Sequence, residues 1–231
     1  MAAFRFKQFA VEQDDVAMKV GTDGVLLGAW ADCSNVKSVL DIGTGTGLIA
    51  LMVAQRSGAQ RVVGIDIDSS AAACAAKNFA CSPWSATLKA VQSSAQEFVD
   101  EKFDLILSNP PYFVDSLLCP DSKRTTARHT TDLTFEELDA TVCRLLDSRG
   151  RFAMILPVEQ MESYIAMTKL HLVRRCNVCP VVGGAVKRVM AEFAFEPTSE
   201  PIVESIAIEK GRRGDYCEQY VALTKDFYLK F

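Results

Sequence analysis

The sequence predicts an α/β fold built on a mostly parallel sheet, and three features carry that prediction. Short apolar or β-branched runs alternate with segments of helical period, glycine-rich or proline-rich turns follow several of the runs, and no internal repeat or low-complexity tract breaks the series. Alternation of this kind favours right-handed crossovers that lay the strands side by side in one direction. A ligand site is then expected at the carboxyl ends of the strands.

Taken in order, Val25, Leu26, Leu27 and Trp30 mark a helix within 19–30 that packs against the sheet. Residues 38–41 form a first apolar run, a glycine-rich turn follows, and 48–56 has helical spacing. The pattern then repeats: strand 61–65 and alanine-rich helix 69–79, strand 86–91 and a short helix 95–99, and strand 103–107. Thr134-Phe135-Glu136-Glu137 is a Thr-x-x-Glu capping box opening a helix over 134–146, with Gly150 as its stop. Strand 152–156, helix 159–170, strand 173–181, a loop at Gly183-Gly184 and strand 188–195 follow. The tail from 202 closes with 220–231 as a helix or strand-like arm.

At 231 residues, 49% of them hydrophobic and 23% charged, the chain has the composition of one globular domain. The apolar stretches are too short to span a bilayer, and the start Met1-Ala2-Ala3-Phe4-Arg5-Phe6-Lys7 lacks a signal peptide's apolar run, so a cytoplasmic location with no membrane association is expected. The eight cysteines then read as small buried hydrophobes in a reducing compartment. Cys176-x-x-Cys179 has no second ligand pair and only His171 nearby, so no metal is expected. A net charge of −4 argues against a non-specific polyanion binder, while leaving room for local basic clusters at Lys123, Arg124 and Arg128 and at Lys210, Arg212 and Arg213.

Asp41-Ile42-Gly43-Thr44-Gly45-Thr46-Gly47 stands where the first core strand turns into its helix. Glycines there allow a tight turn and close approach to a ligand. A dinucleotide is disfavoured, because the spacing is G-x-G-x-G and because Asp41 would repel a pyrophosphate while suiting the ammonium of a methionine moiety. The next strand ends in Gly64-Ile65-Asp66, which places a carboxylate to accept hydrogen bonds from two ribose hydroxyls. Together these predict S-adenosylmethionine as cofactor, held by Asp41, Gly43, Thr44, Gly45, Gly47, Asp66 and Ile67, with S-adenosylhomocysteine as product. Thr22 and Asp23 would sit over its methionine end.

Ser108-Asn109-Pro110-Pro111-Tyr112 follows the fourth core strand on the same edge. An exocyclic amine on a base is a poor nucleophile because its lone pair is delocalised into the ring. Two acceptors, the Asn109 side-chain oxygen and the Pro110 carbonyl, can take its two N–H hydrogens and localise that pair. Pro110 and Pro111 stiffen the loop and Tyr112 can stack on the base. A carboxamide takes up no proton at neutral pH, so Asn109 acts as acceptor and orienter. His129 is not required as a base.

The pair of motifs, 41–47 and Asn109-Pro110-Pro111-Tyr112, resembles the Asn-Pro-Pro-Tyr class of methyltransferases, which act on adenine N6, guanine N2 or glutamine nitrogen. Phe6-Lys7-Gln8-Phe9, residues 18–30, Ser82-Pro83-Trp84 and residues 222–229 narrow this to a likeness, over nearly the whole chain, to the bacterial tRNA1(Val) (adenine37-N6)-methyltransferase family. The resemblance implies a class I methyltransferase fold, a Rossmann-like three-layer sandwich with a mostly parallel seven-stranded sheet. It implies one domain over 1–231, with 1–36 covering substrate and cofactor and 37–231 forming the core. It also implies cofactor contacts at Asp41, Gly43, Gly45 and Asp66, with 109–112 holding the base, so that Asn109 borders the cofactor as well.

The acidic contact such enzymes often carry after the third core strand is replaced here by Gln92-Ser93-Ser94-Ala95, which leaves Ser94 to make it. The implied partner is tRNA, gripped by Lys123, Arg124, Arg128, Arg212 and Arg213, with no obligate protein partner. Two other readings stand beside this one. A protein glutamine N-methyltransferase would need the same two acceptors, and a non-catalytic RNA-binding protein could keep a vestigial cofactor fold.

Overall fold

The computed structural model describes residues 3–14, 16, 18–110 and 133–231. In chain order these form β1 (Phe4–Arg5), β2 (Ala10–Val11), α1 (Thr22–Trp30), β3 (Ser38–Ile42), α2 (Leu48–Arg56), β4 (Arg61–Asp66), α3 (Ser69–Ala80) and β5 (Leu88–Gln92). They continue with β6 (Phe103–Ser108), α4 (Phe135–Leu145), β7 (Leu146–Pro157), α5 (Val158–Met167), β8 (His171–Val181), β9 (Arg188–Ala194), β10 (Ile202–Glu209) and α6 (Glu218–Thr224). The main sheet has the order β10-β8-β9-β7-β6-β3-β4-β5, and only β9 runs against its neighbours. The carboxyl ends of the other seven strands therefore share one edge.

Adjacent strand residues face opposite layers, as a period of two requires. Val39, Val62, Leu105 and Ile155 join a buried cluster with α1 and α2, whereas Leu40, Val63, Ile106 and Met154 join one with α4 and α5. Val25, Leu26 and Leu27 of α1 are fully buried, and Trp30 is nearly so, as their spacing predicts. The sandwich of helix, sheet and helix is the class I methyltransferase architecture.

Four expectations need correction. The sheet has eight strands, not seven, because β10 adds in parallel to β8 at the edge; there Ile202 and Val203 are 61% and 64% exposed. Residues 95–99 form a turn, since the carbonyls of Ala95, Gln96 and Phe98 are taken by the Arg144 guanidinium (3.0, 3.3 and 2.7 Å) and not by helical N–H groups. Gly150 does not stop α4, which ends at Leu145 as the backbone of Leu146 becomes extended. It lies instead in β7 beside a register shift against β6, where a Cβ would stand 2.9 Å from the Phe103 carbonyl oxygen. At the carboxyl end of the chain, α6 is a short helix of seven residues that stops at Thr224, well before Phe231.

The capping box does form: the Thr134 hydroxyl accepts from the Glu137 N–H at 3.2 Å and the Glu137 carboxylate accepts from the Thr134 N–H at 2.8 Å. At the amino edge, the β1–β2 hairpin stacks Phe6 on Phe9 at 4.7 Å and on Tyr228 at 5.9 Å, and the Lys7 N–H donates to the Phe227 carbonyl. Cys176 and Cys179 are three residues apart on β8, so their side chains leave opposite faces of the sheet. No helix among the described residues is long and apolar enough to cross a membrane.

Candidate active site

The register aligns Ile42 with both Ile65 and Ser108, and Asp66 with Gln92. The glycine turn, Asp66, Ser94 and Asn109 thus all leave the sheet at the same edge. Gly43 and Thr44 donate their N–H groups to the Ile65 carbonyl at 2.9 Å, which folds the turn back over β4. Gly43, Gly45 and Gly47 have φ of +72°, +55° and +81°, a region that costs any other residue its Cβ clearance. They are not equivalent. A Cβ at Gly43 or Gly45 would meet nothing within 4 Å, so those two face open space fit for a ligand; at Gly47 it would lie 2.4 Å from the Phe79 ring.

Asp41 is completely buried; its Oδ2 accepts from the Thr44 hydroxyl at 2.7 Å while its Oδ1 has no partner. Burial pushes its pKa up to about 7, opposed by the Thr44 hydroxyl and the Ala50 N–H and helped by the nearby Asp66 charge. A carboxyl that holds its proton more tightly when folded favours the fold at low pH, and that contribution fades as pH rises from about 4 through 7. Asp41→Asn is expected to flatten this decline. Thermal midpoints of the ligand-free protein at pH 5 and pH 8 check it, and equal slopes in the two proteins would remove the claim.

Asp66 accepts the Gly45 N–H through Oδ2 at 2.9 Å and the Asp68 N–H through Oδ1 at 3.0 Å. Each oxygen keeps a lone pair for a further donor, and both are held in a fixed direction. Ile67 beside it is 51% exposed, an apolar surface next to the Asp66 carboxylate. The Ser94 hydroxyl donates to Glu97 at 3.1 Å and accepts its N–H at 3.2 Å, so this side chain is engaged within its own turn. Thr22 is exposed in the first turn of α1, and Asp23 pairs with Arg188 at 2.9 Å.

Asn109 follows directly on Ser108, whose buried hydroxyl donates to the Ile42 carbonyl at 2.9 Å and ties the end of β6 to the start of the glycine turn. Its Oδ1 is buried with no hydrogen-bond partner among the described residues. Unmet acceptors of this kind are rare, because leaving one unsatisfied costs about 1–3 kcal/mol. The two orphaned oxygens, of Asp41 and Asn109, lie on adjoining strands at the glycine turn, which suits a ligand that brings donors. Pro110 is buried beside Asn109; Pro111, Tyr112, Lys123, Arg124, Arg128 and His129 lie outside the described residues.

Sequence reasoning missed Arg144 and Thr141 of α4. The three guanidinium bonds and the Thr141 hydroxyl (3.3 Å to the Ala95 carbonyl) fasten the turn after β5, which follows Ser94. Only helical amphipathicity marks these residues in the sequence, and that pattern says nothing of their polar partners.

The methyltransferase small domain family matches residues 21–154. A tRNA1(Val) (adenine(37)-N6)-methyltransferase of Parabacteroides distasonis is 46% identical over 98% of both chains. One of the same name from Phocaeicola vulgatus is 46% identical over 98% of this chain and 97% of its own. Among solved structures, a predicted O-methyltransferase from Agrobacterium tumefaciens superposes with a TM-score of 0.67 over 89% of this chain and 96% of its own, at 16% identity, a likeness of fold alone. Identity at this level along the full length, with the glycine turn and Asn109 on one edge of a methyltransferase sheet, means that the chain belongs to the tRNA1(Val) (adenine(37)-N6)-methyltransferase family.

Proposed function

We propose that this chain transfers a methyl group from S-adenosylmethionine to the exocyclic N6 of adenine 37 in tRNA1(Val). The observation that carries the proposal is the buried, unpartnered Asn109 Oδ1 beside a ligand-ready glycine turn. Asp41 and the main chain at Gly43–Gly45 would hold the methionine end of the cofactor, Asp66 its ribose, and Ile67 its adenine face. When bound, the cofactor supplies an electrophilic sulfonium methyl. Asn109 Oδ1 and the Pro110 carbonyl accept the two N–H hydrogens of the target amine, which turns its lone pair out of conjugation. The amine's extra proton leaves after transfer, so the site needs no strong base.

Pro111 and Tyr112 belong to the same reading as loop stiffener and stacking platform, Gly47 and Thr44 as supports of the turn, and Thr22 as part of the cover. Ser94 remains the proposed contact to the cofactor adenine, through its main chain, because its hydroxyl is engaged with Glu97. Lys123, Arg124, Arg128, Arg212 and Arg213 are proposed to contact RNA.

Incubation with methyl-labelled cofactor and a cell extract tests this directly. Label in tRNA, recovered as N6-methyladenosine by nucleoside mass spectrometry, is the expected result. Label in protein would point to a glutamine methyltransferase, and tRNA binding without label in either fraction to a non-catalytic RNA binder.

A further inference from the structure

We propose that the loop between β10 and α6, together with the turn between β8 and β9, forms a cationic rim that grips the tRNA backbone at a distance from the target adenine; this rests on the tRNA reading above. Both segments lie at the edge that carries Asn109, because β8 and β10 run parallel to β7 and β6, and β9 starts where β8 ends. The two are joined: the Val182 N–H donates to the Glu209 carbonyl at 2.9 Å.

The loop is braced from within. The Glu209 carboxylate accepts the Gly214 N–H at 2.8 Å, the Lys210 N–H donates to the Asp215 carbonyl at 2.8 Å, and the Asp215 N–H donates to the Arg212 carbonyl at 3.0 Å. Lys210, Arg212 and Arg213 are exposed on it, and Lys187 is exposed on the neighbouring turn. Glu209 and Asp215 are the acidic residues of the loop, and the Glu209 carboxylate is turned into the loop's own backbone.

Most arginines of this protein are engaged elsewhere. Arg61, Arg151, Arg174, Arg175 and Arg188 pair with carboxylates, and Arg56 and Arg144 donate to main-chain carbonyls. Among the described residues Lys187, Lys210, Arg212 and Arg213 form no ion pair. On a chain of net charge −4, which repels RNA as a whole, such a cluster supplies the local attraction that a polyanion needs.

Counting strand spacings of about 4.8 Å along the order β6-β7-β9-β8-β10, the rim extends from roughly 10 Å from Asn109 at Lys187, beside β9, to roughly 20 Å at the loop after β10. That span covers several nucleotides, so the rim contacts phosphates of the folded tRNA and not the reactive base. Phosphate contacts of this type position the RNA and carry no sequence information themselves.

The test is tRNA binding by the full chain, measured by filter retention across a salt series, for wild type, the triple variant Lys187→Gln/Arg212→Gln/Arg213→Gln and the charge-keeping Arg212→Lys/Arg213→Lys. The triple variant is expected to bind on the order of tenfold or more weakly, with a slope of log affinity against log salt smaller by about two to three. The lysine variant should stay near wild type, and cofactor affinity should be unchanged in all three. Equal affinity and slope in wild type and triple variant, or a wild type that does not bind tRNA, would overturn the rim. Wild type that binds through the rim yet transfers no methyl group to tRNA would instead overturn the proposed activity alone.

Discussion

Asn109→Ala is expected to lower turnover by at least about 10²–10³-fold while changing the cofactor dissociation constant by less than about threefold. The side chain offers an acceptor that is buried and has no partner among the described residues. An acceptor held this way spends nothing on shedding a previous partner when the amine arrives, so its contribution falls mainly on the reacting state. Steady-state turnover on tRNA, with cofactor affinity measured separately by calorimetry, separates the two effects. Activity within tenfold of wild type would show that another group localises the lone pair. Parallel loss of cofactor affinity would assign Asn109 to cofactor binding alone.

The second large effect is a division within a single turn. Gly45→Ala places a methyl group where nothing lies within 4 Å, so the fold should lose only the left-handed backbone penalty of roughly 1 kcal/mol, while cofactor binding is lost or falls by orders of magnitude. Gly47→Ala adds to that penalty a contact of 2.4 Å with the Phe79 ring, itself almost wholly buried. Overpacking of this kind costs about 1–3 kcal/mol more, and the two penalties together lower the thermal midpoint by roughly 4–16 °C. Thermal melts paired with cofactor titrations decide the matter. A stable Gly47→Ala protein, or a Gly45→Ala protein that binds cofactor normally, contradicts the roles assigned to the turn.

Much of this was legible from the residues because local chemistry and topology agree at the strand ends. Gly43, Gly45, Asp66 and Asn109 each follow an apolar run, and parallel pairing brings the ends of such runs to one edge whatever the loops between them do. Thr134 and Glu137 likewise signal a helix start through contacts only three residues apart. What escaped depends on partners distant in sequence. The turn at 95–99 has helical composition, and it is the guanidinium of Arg144, more than forty residues on, that claims its carbonyls. Gly150 looks like a helix stop, yet its role comes from the close approach of the Phe103 main chain. Strand β10 carries a weak pattern because its first residues face solvent on both sides and its polar Glu204 is engaged with Trp30 and Arg174.

That outermost strand leaves the sheet unclosed on one flank at its start, where Ile202 and Val203 lie bare, while its far end is met by the 215–217 segment. Flanks of this kind are commonly guarded by charged side chains that stand outward and deter pairing with another chain. Here Glu204 is exposed but its carboxylate is already paired with the Trp30 indole and the Arg174 guanidinium, so less of its charge is left to guard the flank. Self-association through this flank in concentrated solution, read by light scattering, is the expected consequence, and Ile202→Lys is expected to reduce it without lowering methyl transfer at the opposite end of the strands.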